Sequence, residues 1–230
     1  MIKLSKRLYT IASLVPINSK VVDVGCDHAY LSIYLAQNKI ASKIYATDIN
    51  ENAYNIAKQN ITSQGLDKTI KIKLGDGLLP IKKEDVNTAI ISGMGSKTII
   101  DILNKSTDVL TKINTLIISS NTDLYYLRKN LIKLNYYIEK EIMLKDKNIY
   151  YTIIKLSKGT KKYTHNELVY GPVLLKKKDK VLKEYLINII KKQESIIKNI
   201  PNTKLLLKLK LIIKKSNILY ILKKISSQWI

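Results

Sequence analysis

The chain of 230 residues has no phenylalanine, one tryptophan, one cysteine, two histidines, four prolines and eight glycines. Each shortage closes off a class of protein. A lone Cys26 cannot form an internal disulfide, which fits a reducing compartment and predicts a cytoplasmic protein. His28 and His165 lie far apart in the chain, so no metal-ligand cluster forms and no metal is expected. No apolar run approaches the ~18 residues that a membrane span needs, so no membrane partner is expected. Lys3, Lys6 and Arg7 ahead of the apolar stretch 8–17 imitate a signal peptide, but no small-residue cleavage site follows. Leu4, Leu8, Ile11, Ala12 and Val15 instead recur at helical spacing up to Pro16, which predicts an amphipathic helix covering a sheet.

Acidic residues are also scarce, 18 against 40 lysines and arginines, for a net charge of +22. Only Arg7 and Arg128 are arginine. Abundant Lys, Ile and Asn read partly as the bias of an A+T-rich coding sequence. The charge is nevertheless uneven: 22 basic against 14 acidic residues through Lys155, and 18 against 4 from Leu156 onward. A concentrated positive field of that size favours a polyanion.

What the chain does have is Lys20–Leu31, KVVDVGCDHAYL. Val21, Val22 and Val24 make a β-branched run of the kind that forms a buried strand. Gly25 breaks it, and residues 27–31 read as the first turn of a helix. Strand, glycine turn and helix build a ligand pocket at the carboxyl ends of a doubly wound sheet. A dinucleotide site would need G-x-G-x-x-G, so that backbone can approach a pyrophosphate. Only Gly25 is present, and Asp27 would repel a pyrophosphate. One acid before a single glycine turn favours a cationic ligand such as S-adenosylmethionine. The next strands end alike: 43–48 in Asp48, placed to accept ribose hydroxyls; 70–74 in Gly75-Asp76-Gly77, placed to meet an adenine amino group; 88–92 in Gly93-Met94-Gly95.

Together VVDVGCDHAYLSIYL, KLGDGL and SGMG resemble the bacterial tRNA adenine-N1-methyltransferases that modify adenine 22, over roughly Leu4 to Gly171. That family carries D-x-G-x-D-H-A-Y-L, L-G-D-G-L and G-M-G-G. The chain departs from it at Ser96 for the last glycine, at Cys26 for serine, and at Ser119-Ser120-Asn121 for Q-P-N. The resemblance implies a class I Rossmann-like α/β fold of seven strands, the last two forming an antiparallel hairpin near Asp146-Lys147. It also implies methylation of adenine N1 in tRNA by S-adenosylmethionine, with S-adenosylhomocysteine as product. On that reading the cofactor site comprises Asp23, Gly25, Cys26, Asp27, His28, Asp48, Ile49, Gly75, Asp76, Gly77, Gly93 and Met94. Asp27, as a carboxylate beside the base, and Tyr30, as a stacking face or donor, are the candidate catalytic residues. A base in folded tRNA must be extruded to reach such a pocket.

Regular βα alternation predicts residues 1–160 as the methyltransferase domain, with residues 161–230 as a basic helical appendage. Residues 157–163 read as a linker. Leu182, Leu186, Ile189, Gln193, Ile196 and Ile200, then Leu205, Leu209, Ile212, Ser216 and Leu219, step by four and three and predict a two-helix coiled-coil hairpin. Lys176, Lys177, Lys178, Lys191 and Lys192 on the hairpin, with Lys3 and Arg7 one turn apart on the first helix, are the candidate RNA contacts. The expected species is a monomer. Two other readings stand beside this one: a methyltransferase acting on ribosomal RNA or a small molecule, and a non-catalytic RNA-binding protein on the same fold.

Overall fold

The computed structural model describes residues 2–81 and 84–226. Seven strands form one sheet: β1 (Ser19–Val24), β2 (Ala41–Asp48), β3 (Ile70–Leu74), β4 (Thr88–Ser92), β5 (Thr115–Ser120), β6 (Tyr136–Asp146) and β7 (Ile149–Lys158). Their spatial order is β3-β2-β1-β4-β5-β7-β6, parallel except for β7, which runs antiparallel to both β5 and β6. The inner strands bury Val21, Val22, Val24, Ile90, Ile91, Ile117 and Ile118. Both sheet faces are therefore covered, as a parallel sheet requires.

Helices α1 (Lys6–Ala12), α2 (Tyr30–Gln37) and α3 (Glu51–Ser63) pack on one face, and α4 (Ser96–Asn104), α5 (Thr107–Leu110) and α6 (Leu124–Lys133) on the other. At α1, α3 and α6 the start is marked by a short polar side chain that takes up an orphan amide. Ser5 accepts from Leu8, Asn50 from Ala53 and Asp123 from Tyr126. The order of strands reverses between β1 and β4, and there the connections leave in opposite directions. This opens a crevice at the carboxyl ends of the strands.

Beyond β7 come α7 (His165–Tyr170), α8 (Pro172–Lys176), α9 (Lys180–Asn199) and α10 (Leu205–Ser226). The segment expected to be a linker is pinned: β7 runs to Lys158, and the Tyr163 hydroxyl accepts the Ile138 amide at 2.9 Å. A fully buried ion pair then clamps the appendage to the sheet. Arg128 Nε donates to Glu141 Oε1 at 2.8 Å, Arg128 Nη1 donates to the carbonyls of Leu168 and Val169, and Glu141 Oε2 accepts the Val173 amide. Gly171 lets the chain pass over this pair. Its φ is +97°, and a Cβ there would sit 2.7 Å from Glu141 Oε2.

The helical hairpin exists, but its seam differs from the expected one. In α9 the buried positions are Leu182, Leu186, Ile190 and Gln193; Ile189 is half-buried and Ile196 exposed. In α10 the expected face Leu205, Leu209, Ile212, Ser216, Leu219 points to solvent, and Ile218, Ile221 and Ile225 are buried instead. The reason is compositional. The run LLLKLKLII offers apolar residues on every side of the helix, so four-three spacing can be traced along more than one face. Packing against Met143 of β6 and against Leu182 and Leu186 chooses among them. No described helix is long and apolar enough to cross a membrane.

Candidate functional site

The crevice between β1 and β4 is a cleft of about 380 Å³ lined by Arg7, Asp23, Gly25, Cys26, Asp27, His28, Tyr30, Ser92 and Gly93, among others. Its floor is set by backbone. The amides of Gly25 and Cys26 both donate to the Thr47 carbonyl, at 2.8 and 3.0 Å, which folds the turn over the end of β2. Gly25 has φ +69°, and a Cβ there would press on Met94 Cε. The positive φ is what demands glycine, since Met94 Cε is the movable end of a side chain.

The helix after this turn starts later than the sequence implies. Asp27 and Ala29 take left-handed φ values of 52° and 57°, and α2 begins only at Tyr30. Residues 27–29 are thus a loop, with Asp27 exposed and Ala29 buried, rather than a first helical turn. The His28 carbonyl accepts the Asn60 side-chain amide at 3.0 Å, and the His28 ring stacks on Tyr30 with centroids 5.3 Å apart and planes within 13°. Both rings stand at the cleft mouth, with Tyr30 about half exposed.

Three carboxylates converge here in a chain of net charge +22. Asp23, near the end of β1, is 5% exposed and accepts the Ser32 hydroxyl at 2.7 Å. Burial, and secondarily the Asp48 charge, push its pKa up to about 6 despite that bond. Asp48 accepts the Asp27 amide on one oxygen and the Asn50 amide on the other, both at 3.0 Å, tying the turn to the start of α3. Asn50, not Asp48, is the helix cap. The Asp27 carboxylate is exposed and 3.7 Å from His28 Nε2. Burial and the neighbouring carboxylates, Asp23 first, push the Cys26 thiol far up, so it remains a neutral packing group.

The remaining expected residues surround this centre. The Gly75 amide donates to the Asp48 carbonyl and Thr47 Oγ1 donates to the Gly77 carbonyl, so the β3 turn is tied to the end of β2. Asp76 accepts Lys105 Nζ at 3.0 Å, and Ile49 is an exposed apolar side chain beside Asp48. Gly93 and Met94 border a neighbouring cleft of about 260 Å³ with Ser119, Ser120, Asn121, Tyr151 and Arg7. Two of the three departures from the expected pattern, at Ser96 and at Ser119-Ser120, meet beside this second cleft. Ser96 Oγ lies 3.2 Å from Ser120 Oγ and donates to the Thr122 carbonyl, while Ser120 Oγ donates to the Met94 carbonyl. Hydroxyls that replace a glycine and a proline therefore cross-link the two loops.

The candidate RNA residues divide. Lys176, Lys177, Lys191 and Lys192 are exposed on the appendage, and Lys178 is half-buried. Lys3 precedes α1 and is exposed, whereas Arg7 turns into the cleft. The two do not form one basic face. Sequence reasoning missed Ser32, Ser92 and Tyr151, which come from elements distant in the chain. The scarcity of arginine was the one signal that marked Arg7.

The cleft fits S-adenosylmethionine better than a dinucleotide. A bare glycine turn lies under it, a buried carboxylate faces a cationic ligand, and Asp48 keeps lone pairs on both oxygens for ribose hydroxyls. Among the described residues no group of three His, Cys, Asp or Glu converges to hold a metal.

Comparison with known proteins agrees with this geometry. A family model described as tRNA (adenine(22)-N(1))-methyltransferase matches residues 21–220. A Bacillus subtilis protein of that name is 31% identical over 205 residues, covering 86% of each chain. The solved structure of M. capricolum TrmK in complex with S-adenosyl-homocysteine superposes with a TM-score of 0.87 at 31% identity, over 96% of this chain and 99% of that one. That of the B. subtilis m1A22 tRNA methyltransferase TrmK gives 0.84 at 28% identity, over 99% and 100%.

Proposed function

This chain belongs to the tRNA (adenine(22)-N(1))-methyltransferase family and is an S-adenosylmethionine-dependent tRNA adenine-N1-methyltransferase; we propose that Asp23, Gly25 and Asp48 hold the methyl donor while Asp27 and Tyr30 receive the target adenine. The carrying observation is the convergence of Asp23, Gly25, Asp27 and Tyr30 on one cleft at the β1/β4 crevice. When bound, S-adenosylmethionine supplies an electrophilic methyl group on a sulfonium.

Adenine N1 already carries a lone pair, so the protein's main contribution is orientation. Tyr30, stacked on His28, offers a flat face at the cleft mouth for an extruded base. Methylation leaves a positive charge on the base. Asp27, with its backbone fixed by Asp48, presents a carboxylate that stabilises this charge or accepts a proton from the exocyclic amine. Ile49 offers an apolar face and Asp76 an acceptor to the adenine of the donor, with Gly75, Gly77, Gly93 and Met94 framing the pocket.

The appendage supports a tRNA docking role. All four of its acids serve local structure: Glu167 in a capping box with Thr164, Asp179 capping α9, Glu184 on Lys145 and Tyr150, and Glu194 on Lys215. Exposed lysines such as Lys177, Lys191 and Lys192 therefore meet no compensating acids among the described residues, and contacts from them to phosphates would position tRNA without reading its sequence. We read residues 161–230 as this docking unit and 1–160 as the catalytic one. On this reading the protein acts as a monomer, in the cytoplasm where tRNA resides.

The test is incubation with S-adenosylmethionine and a tRNA transcript, with modified positions mapped by reverse-transcription stops and mass spectrometry. One N1-methyladenine at position 22 is expected, and none in a transcript with guanine there. Binding of both ligands without methylation would favour the non-catalytic reading.

A further inference from the structure

We propose that the groove between the β6–β7 turn and α9 takes the unstacked base of a nucleotide next to the target adenine. This rests on the reading that the adenine enters the cleft at Asp27 and Tyr30. Extruding a base from folded RNA breaks stacking on two sides: the flipped adenine loses its neighbours, and each neighbour loses a covered face. A surface beside the cleft that covers one of those faces offsets part of that loss. The topology puts such a surface in reach. β7 runs antiparallel to β5, so the β6–β7 turn lies at the same sheet edge as the carboxyl ends of β1 and β4. There Asn121, Leu124, Met143, Asn148, Thr152 and Tyr185, among others, line a groove of about 270 Å³. The groove continues from the methyl-transfer cleft. Arg7 and Gly93 are common to that cleft and its neighbour, and Asn121 is common to the neighbour and this groove. That continuity points to the substrate's own strand rather than to a protein partner.

The lining suits a base. Tyr150 and Tyr185 are both half-buried, with ring centroids 5.2 Å apart and planes tilted by 60°. The Tyr150 hydroxyl donates to Glu184 Oε1 at 2.6 Å and accepts the Asn188 side-chain amide at 2.7 Å, so its ring is a fixed wall. Rigid aromatic walls of this kind stack on any base, because every base has a flat π-face. A hydrogen-bonding group waits beside them. Thr152 is 1% exposed, and its Oγ1 has no hydrogen-bond partner among the described residues. A buried hydroxyl left unpaired is destabilising, and this residue lies on the groove wall. Asn121 and Asn148, both exposed, add donors and acceptors for the edge of a base. No acid is among the lining residues, and Glu184, behind Tyr150, is paired with Lys145 Nζ at 2.9 Å.

The experiment is a mutant cycle between protein and tRNA. Affinity and single-turnover methylation are measured with three tRNAs: intact, abasic at the nucleotide before adenine 22, and abasic at the nucleotide after it. Wild type, Tyr185→Ala and Thr152→Val are compared, and S-adenosylhomocysteine affinity shows that each variant is folded. Tyr185→Ala should bind intact tRNA about fivefold to a hundredfold more weakly, the range for one stacked base. Thr152→Val should bind it about fivefold more weakly, as for one hydrogen bond. Because Thr152→Val removes an unpaired hydroxyl, it should not lower Tm, so it keeps the test decisive if Tyr185→Ala fails to fold. On one of the two abasic tRNAs neither substitution should cause a further loss, since the base they would touch is already gone; on the other the full loss should persist. Unchanged affinity for intact tRNA overturns the proposal. So does an equal loss on all three tRNAs, which would mean that these residues hold the appendage in place rather than a base. If wild type leaves adenine 22 unmethylated, the reading of the cleft itself fails, and this proposal with it.

Discussion

Replacing Asp23 by asparagine should make the ligand-free protein more stable and the cofactor complex weaker. Asp23 is 5% exposed, and its pKa is raised from 3.8 to about 6, mainly by burial. A raised carboxylate pKa means that folding favours the protonated form. The stability that Asp23 contributes is therefore complete below the unfolded value and is lost as pH rises through about 6. A shift of about two units corresponds to about 3 kcal/mol once the change is complete. Asparagine keeps an acceptor for the Ser32 hydroxyl and carries no charge, so it escapes this loss. The stability advantage of Asp23→Asn should grow by about 1.4 kcal/mol between pH 5 and pH 8. For a chain of this size that is about 3–6 °C in Tm. The assay is thermal unfolding of both proteins, without ligand, at the two pH values. A second readout is S-adenosylhomocysteine affinity. In wild type it should fall as pH drops below about 6, because the cationic head prefers ionised Asp23; in the variant it should be weak and flat. A variant whose stability runs parallel to wild type across this range would refute the assignment of a strained, buried charge.

Asp48→Ala should weaken S-adenosylhomocysteine binding by about tenfold or more, since charged acceptors are worth about 1.5–3 kcal/mol each; unchanged calorimetric affinity would remove Asp48 from the site. Gly171→Ala should cost about 2–4 kcal/mol in urea unfolding, from backbone strain and from the Cβ pressed against the buried Glu141–Arg128 pair. The register of the hairpin is checked by a pair of variants: Ile218→Ala, at a buried position, should cost about 2–4 kcal/mol, and Leu206→Ala, 77% exposed, about 0.5 or less. Lys191→Gln with Lys192→Gln should flatten the plot of log tRNA affinity against log salt by about one to two units, and an unaltered slope would mean that these lysines touch no phosphate.

The order of elements and the chemistry of the turns were legible in local residue patterns. Val21–Val24, the glycine at 25 and the acids closing β2 and β3 are local signals: β-branched residues favour strands, and glycine adopts the positive φ of these turns most readily. Because the strands of a parallel sheet all end at the same edge, residues noted one by one at strand ends, such as Asp48, Asp76 and Gly93, were bound to gather on one side. Tertiary structure decided what depends on contacts between distant segments. It turned Arg7 from a presumed phosphate contact into a wall of the cleft, because α1 packs beside Ser92 and Tyr151. It started α2 at Tyr30 and freed Asp27 and His28 as a loop, since Asp48 and Asn60, from β2 and α3, hold that backbone. It locked the supposed linker through Tyr163 and the Arg128–Glu141 pair. And it chose which face of α10 to bury, a choice the helix's own sequence left open because heptad spacing ran along more than one side. Local propensity specifies each element, but an element's buried face depends on a complementary surface, and that surface is supplied by another part of the chain.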